Sequence, residues 1–182
     1  MLVAVYICTY FFFYYIEHLP EGTVLNDWIL KKLPAEDVSV PIVILESSVI
    51  LLLIIRSITD PDLFLSFLIA VIFVLIFRII TIDITRFNSP IGLIELKDPI
   101  SDVVYKSGFI KRDLFYSGHV SILFLIFLCL HKKADKYYAL FGVVAVGLLI
   151  LIQHVHYTVD VVSAPFFSLG CFSLSKKLLQ IE

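Results

Sequence analysis

The chain predicts an all-α fold, a polytopic membrane helical bundle with six transmembrane helices. Three observations carry that expectation. Of 182 residues, 60% are hydrophobic and 16% charged, against about 45–50% and about 25% in a soluble domain. Mean hydropathy is +0.99, and a chain this short has room for one core of modest size. The apolar residues also gather in runs separated by polar connections. This excludes a soluble globular domain, a disordered chain and a nucleic-acid binder. A net charge of -2 offers no field for a polyanion.

The expected spans are approximately 1–16, 40–56, 63–80, 114–131, 137–154 and 158–175, forming a single integral membrane domain over 1–182. The first run is rich in Phe and Tyr. It lacks the basic n-region and small-residue cleavage site of a signal peptide, so it reads as a membrane helix. Leu25, Trp28, Ile29 and Leu33 then recur at helical spacing, which suits a short interfacial helix with Trp28 at headgroup depth. The second and third runs are joined through Arg56 to Asp62. Thr81 to Asp113 is polar and punctuated by Pro90, Gly92, Pro99 and Gly108, so it reads as loop. The fourth run leads to a tight connection holding Lys132, Lys133, Asp135 and Lys136. The sixth ends at Lys176 and Lys177. Several runs fall short of the roughly 20 residues that cross about 30 Å, so their polar flanks must supply the missing turns. The cysteines Cys8, Cys129 and Cys171 stand singly in apolar runs and read as small buried hydrophobes.

Six crossings place both termini on one side. Arg56, the Lys-rich connection and the Lys176–Lys177 tail share that face, which the positive-inside tendency marks as cytoplasmic, although the opposite face also carries Lys31, Lys32, Arg86, Lys97, Lys106, Lys111 and Arg112. Ionisable groups in or beside spans are costly and mark function. The chain holds few: Glu46 in the second run, Arg78 near the end of the third, His119 opening the fourth, His154 and His156 closing the fifth, Asp160 opening the sixth. Alternation of the spans brings Arg78, His119, His154, His156 and Asp160 to one face.

Their spacings make chemical sense. Ser117 can cap a helix, Gly118 lets a ligand approach the backbone, and the exposed N–H groups beyond favour an anion. His119 would stand beside that anion as a proton donor. His156 and Asp160, four apart, share a helix face, so the carboxylate can fix the imidazole tautomer and leave the other nitrogen as nucleophile or base. Arg78 adds a planar donor for phosphate oxygens, with Arg86 and Arg112 behind it. Each motif alone also suits an ordinary capped helix or structural pair; their convergence points to a phosphoryl site. A zinc site built from His119, His154, His156 and Asp160 is the rival, weakened because residues two apart on a helix diverge.

Asp113-Leu114-Phe115-Tyr116-Ser117-Gly118-His119 resembles the D-x-x-x-S-G-H motif of sphingomyelin synthases. His154-Val155-His156-Tyr157-Thr158-Val159-Asp160-Val161 is similar to their H-x-H-Y-T-x-D-V motif, and Arg78 to Thr85, followed by Pro90, to their R-x-x-T-M-x-x-T segment. The resemblance covers about residues 78–164, and Glu46 is similar to a glutamate of the family's second span. That family is the synthase-related branch of the type 2 phosphatidic acid phosphatase superfamily. The resemblance implies six membrane helices and a cofactor-free, metal-independent site near the non-cytoplasmic face. It implies His156 as nucleophile, Asp160 as its partner and His119 as proton donor. Arg78, Asp113, Ser117, Gly118, Tyr157, His154 and Glu46 would bind substrate.

The wider superfamily's K-x6-R-P is absent, and Leu149 and Ile150 stand at its S-R positions, a loss the synthase branch shares. Lys111-Arg112 replaces the family's Cys-Gly, and Pro165 replaces an aromatic. The expected function is a membrane lipid phosphotransferase, moving a phospho-headgroup from a phospholipid donor to a lipid acceptor such as ceramide. The alternative is a lipid phosphatase or phospholipase C-like hydrolase with water as acceptor. A small transporter or a non-catalytic assembly protein would form no phosphoenzyme.

Overall fold

Asp60 and Pro61 divide one long apolar stretch into two helices. In the computed structural model, which describes residues 11–12, 14–16, 18, 22–97 and 111–180, α1 runs Ser39–Thr59 and α2 runs Pro61–Thr85. The Asp60 side chain accepts the Leu63 N–H at 3.2 Å, and Pro61 fills the first helical position, where its missing N–H costs nothing. The second helix continues beyond the apolar run to Thr85. The Thr81 and Thr85 hydroxyls bond back to the carbonyls of Arg78 and Thr81, and Arg86 ends the helix in the left-handed region at φ 47°.

Three helices follow: α3 Gly118–Cys129, α4 Lys133–Ile152 and α5 Thr158–Leu179. The α3 helix is shorter than the expected span 114–131. Residues 114–117 run non-helically into its cap, and Phe115 has φ 63°. Pro165 lies within an unbroken α5. The described residues form an all-helical molecule with no named strand and one isolated bridge, Thr23 to Phe87. Four helices, α1, α2, α4 and α5, are long and apolar enough to cross a membrane; α3 has only 12 residues. Most of the expected first span, 1–16, and part of the loop, 98–110, lie outside the described residues.

The interfacial helix expected over 24–33 is replaced by a single 3-10 turn at Leu30–Lys32. Asp27 causes this. Its Oδ1 accepts the N–H groups of both Ile29 and Leu30, which closes a tight turn, and Pro34 follows soon after. Trp28 remains 69% exposed, with the Lys32 ammonium 3.5 Å above its ring.

The packing is built around the short α3, which lies against the other four helices; α5 also lies against α2, and α4 against α1. Between helices in lipid, close backbone approach matters more than burial of apolar area. Small residues supply it. A Cβ on Gly142 would lie 2.9 Å from Val49, and one on Gly147 3.1 Å from Val161. The Ser168 hydroxyl bonds the Ala164 carbonyl at 2.8 Å and lies 3.4 Å from that of Ser121 on α3. This topology brings the starts of α1, α3 and α5 and the ends of α2 and α4 to one end of the bundle.

At that end Gln153 is fully buried and binds three segments together. Its Nε2 donates to Ser39 Oγ at 2.8 Å and to the carbonyls of Glu95 and Ile94, and its Oε1 accepts the Val38 N–H. One amide thus joins the end of α4, the start of α1 and the loop after α2, roofing the bundle.

Candidate functional site

The turn between α4 and α5 places the central pair. After Ile152 the chain makes one tight reversal, with His154 at φ 57°, and enters α5 at Thr158. His156 sits just before the helix and Asp160 in its first turn, both almost fully buried. Asp160 Oδ2 faces His156 Nδ1 at 3.3 Å and accepts the Tyr157 N–H at 3.1 Å. The carboxylate therefore braces the imidazole and the helix start together. Its second oxygen, Oδ1, is buried and has no hydrogen-bond partner.

The α3 N-terminus meets this pair. The Ser117 N–H donates to the Asp160 carbonyl at 3.1 Å, and Ser117 Oγ caps α3 by accepting the Val120 N–H. His119, one residue into α3, turns its ring toward His156, with centroids 6.4 Å apart and planes at 67°. On the other side His119 Nε2 lies 3.8 Å from Glu46 Oε2 on α1. Two imidazoles, each accompanied by a carboxylate, thus face one another across the junction of α1, α3 and α5.

Arg78 reaches the same junction from α2. Its guanidinium is buried, pairs with Asp113 through Nη2, and lies 5.7 Å from the Tyr116 ring centre. Gly118 makes room for it: a Cβ there would lie 3.3 Å from Arg78 Cζ and 3.4 Å from Nη1. Nη1 itself is buried without a hydrogen-bond partner. A planar cation with a spare donor, beside a capped helix N-terminus, suits an oxyanion such as a phosphoryl group. Behind it, Tyr116 stacks on Phe167 at 4.3 Å and donates its hydroxyl to the Val74 carbonyl, holding the wall on which Arg78 rests.

Other expected residues lie elsewhere. His154 turns away from the pair: Nδ1 lies 2.9 Å from the Ile91 carbonyl and Nε2 3.1 Å from that of Leu33. The ring lies between two loops, with a carbonyl against each nitrogen. Tyr157 donates its hydroxyl to the Asn88 carbonyl at 2.8 Å, also in the loop layer. Arg86 is occupied with Asp83 at the surface, and Arg112 reaches the Ile16 carbonyl at 3.5 Å. Among the described residues no group of three or more His, Cys, Asp and Glu side chains is arranged to hold a metal ion. The four-residue zinc arrangement does not form, because His154 faces the loops.

One residue that sequence reasoning passed over also touches the site's framework. Asp27 accepts the Thr158 N–H at 2.6 Å and the Thr158 hydroxyl at 3.0 Å. Burial works to raise its pKa, but hydrogen bonds from Thr158, Leu30 and Ile29 outweigh it and hold the carboxyl below its ordinary value. The available signal was Tyr157, which stands where a helix start normally carries Ser, Thr, Asp or Asn.

Residues 112–177 match the family model described as PAP2 superfamily C-terminal. The matched stretch contains Asp113, Ser117, Gly118, His119, His156 and Asp160, while Glu46, Arg78 and Asp27 lie outside it. No curated protein and no solved structure matches the chain. The similarity supports lipid phosphatase or phosphotransferase chemistry within a membrane-embedded helical protein.

Proposed function

We propose that the chain is a sphingomyelin synthase-like lipid phosphotransferase. It would be a single integral membrane domain, with its reaction centre near the non-cytoplasmic face. The observation that carries this reading is the carboxylate-braced His156 facing His119 at 6.4 Å. One imidazole is oriented for attack and a second is within reach of the same reacting group.

The reaction runs in two balanced steps. His156 attacks the phosphorus of a glycerophospholipid through Nε2, and the bond from phosphorus to the diacylglycerol oxygen breaks. His119 gives its proton to that oxygen. The phosphohistidine keeps the headgroup. In the second step a lipid alcohol, with ceramide as the example, gives its hydroxyl proton to His119. Its oxygen attacks phosphorus, and the bond to His156 breaks. Asp160 holds Nδ1 throughout and balances the charge on the ring. Arg78 and the α3 N-terminus face the equatorial oxygens, where negative charge develops. Glu46 acts behind His119, Asp113 sets the Arg78 plane, Ser117 caps α3, and Gly118 leaves the space in which Arg78 meets the anion. Tyr157 and His154 hold the loops that close the site.

Arg56, Lys132, Lys133, Lys136, Lys176 and Lys177 stand at or near helix ends opposite the histidines, and Lys31, Lys32, Arg86, Lys97, Lys111 and Arg112 on the histidine side, so the non-cytoplasmic placement is carried over from the family resemblance. Water in place of the alcohol would turn the same two steps into hydrolysis.

Reconstitution in phosphatidylcholine or phosphatidylethanolamine vesicles, with and without ceramide, tests the reading. The expected products are a phosphosphingolipid and diacylglycerol, both dependent on ceramide. Diacylglycerol release that ignores ceramide would establish the hydrolase instead. A wild-type rate in His156→Ala, combined with loss of activity on chelation, would overturn both.

A further inference from the structure

The first turn of α5 is capped locally only by Asp160, at the Tyr157 N–H. Tyr157 occupies the cap position and donates its hydroxyl to Asn88, so its side chain does not serve the helix. Asp160 accepts the Tyr157 N–H, but the next donor, Thr158 N–H, would be left exposed. A residue 131 positions upstream takes it. Asp27 Oδ2 accepts the Thr158 N–H at 2.6 Å, and Oδ1 accepts the Thr158 hydroxyl at 3.0 Å.

Asp27 is itself held in place. Oδ1 also accepts the N–H groups of Ile29 and Leu30, which fixes the carboxylate in its own turn. The segment carrying it is fastened on both sides. Thr23 exchanges backbone hydrogen bonds with Arg86 and Asn88, the Leu25 N–H donates to the Tyr157 hydroxyl, and the Leu33 carbonyl meets His154. Leu30 packs with Leu114, Leu151 and Tyr157. Residues 23–33 therefore form a strap across the start of α5, and its one carboxylate ends on the helix N-terminus, where a negative charge is favoured.

Thr158 lies between His156 and Asp160. We propose that Asp27 is a positioning residue for the phosphoryl-transfer site, capping α5 from the strap so that Asp160 stays aligned on His156. The inference rests on the lipid phosphotransfer reading. Without the cap the first turn loses its anchor. The Tyr157 N–H and His156 contacts to one Asp160 oxygen would then loosen together, because both depend on where residues 157–160 sit. A displacement of this size weakens attack rather than substrate binding, since Asp27 itself faces the Thr158 backbone and hydroxyl.

The test uses the full chain, reconstituted with phosphatidylcholine and ceramide. Asp27→Ala, Asp27→Asn and Asp37→Asn are compared with wild type in kcat, KM and thermal unfolding. Asp37 lies on the same polar segment and caps the start of α1 through Ser39, so it controls for general loosening of the loops. The expected result for Asp27→Ala is a fall in kcat of about a hundredfold with KM nearly unchanged. Asp27→Asn, which keeps a carbonyl acceptor for the Thr158 N–H, should recover much of that loss, while Asp37→Asn keeps wild-type kcat. Should Asp27→Ala not fold, the Asn variant decides through its kcat-to-KM split. Wild-type kcat in folded Asp27→Ala would overturn the inference, as would an equal fall in Asp37→Asn or a loss seen only in KM. A wild-type protein that makes no headgroup transfer or release would instead overturn the functional reading.

Discussion

Each end of the bundle carries an arginine–aspartate pair that joins two segments, and the two pairs are used differently. At the end away from the histidines Arg56 on α1 grips Asp135 on α4, with Nε donating at 2.6 Å and Nη2 at 3.0 Å. Both carboxylate oxygens are taken, and the Arg56 side chain is 32% exposed. This is a closed clamp joining two helices. At the opposite end the Arg78 side chain is 5% exposed and meets Asp113 through Nη2, while Nη1 stays buried without a hydrogen-bond partner. Asp160 Oδ1, at the same end, is likewise unpartnered. A buried polar atom left unpaired costs stability. The fold tolerates that cost twice at one end, beside two facing histidines. Paired charge at one end serves packing; at the other the spare Arg78 donor suits an anion, whereas the unpartnered Asp160 oxygen is an acceptor and does not.

The largest effect should come from His156. His156→Ala is expected to lower turnover by about a thousandfold or more and to abolish an acid-labile phosphoenzyme, with the unfolding temperature little changed. Labelling with a radioactive phospholipid headgroup checks both. Retention of the label would break the link between the unpartnered polar end and chemistry.

Arg78→Lys comes next. An ammonium is a point charge and cannot keep Asp113 while presenting a second planar donor. The expected loss is about a hundredfold in kcat, read in the same vesicle assay. Arg56→Ala makes the matching change at the other end. Thermal unfolding should begin earlier while kcat stays at the wild-type value, because the lost contacts join α1 to α4 far from His156. An equal kcat loss in the two arginine variants would erase the distinction between the ends.

The smallest effect concerns the polar cover. The Lys97 ammonium and the Ser39 hydroxyl and N–H hold Asp37 down to a pKa of about 2. A carboxyl lowered on folding contributes stability that is present above its unfolded value, near 4. That contribution fades as pH falls through the folded value of about 2. The gap in unfolding temperature between wild type and Asp37→Asn should therefore be widest above pH 4 and shrink toward pH 2. A constant gap would show that the Asp37–Lys97 contact carries no charge-dependent stability.

Much of the bundle was legible because its signals are local. An apolar run has to satisfy its own backbone in lipid, so helices follow from composition alone. Ser117 announces a helix start, since its cap acts within three residues, whereas the Asp60-Pro61 start lies in a stretch that reads as a connection. The His156–Asp160 contact forms at the expected four-residue interval, but through the start of α5 and not along a shared helix face, because His156 precedes the helix. The interfacial helix does not form. Its apolar spacing favoured a helix, but the Asp27 carboxylate binds two successive N–H groups and closes a 3-10 turn instead. His154 gathers at the expected end, but the turn of its ring toward the loops was not legible, because a left-handed residue reverses the chain there and no periodicity signals that.

The sequence by itself determined the all-helical character, the ends at which the polar residues gather, and the local pairs that depend on short intervals. Tertiary structure alone decided which of those residues meet. It set His119 opposite His156, brought Arg78 into the space Gly118 leaves, sent His154 to the loops, and gave α5 a cap from Asp27, 131 positions away. The physical reason is range. Hydropathy and capping act over a few residues of one segment, whereas these contacts join segments whose approach is fixed only when helices pack through Gly142, Gly147 and Ser168.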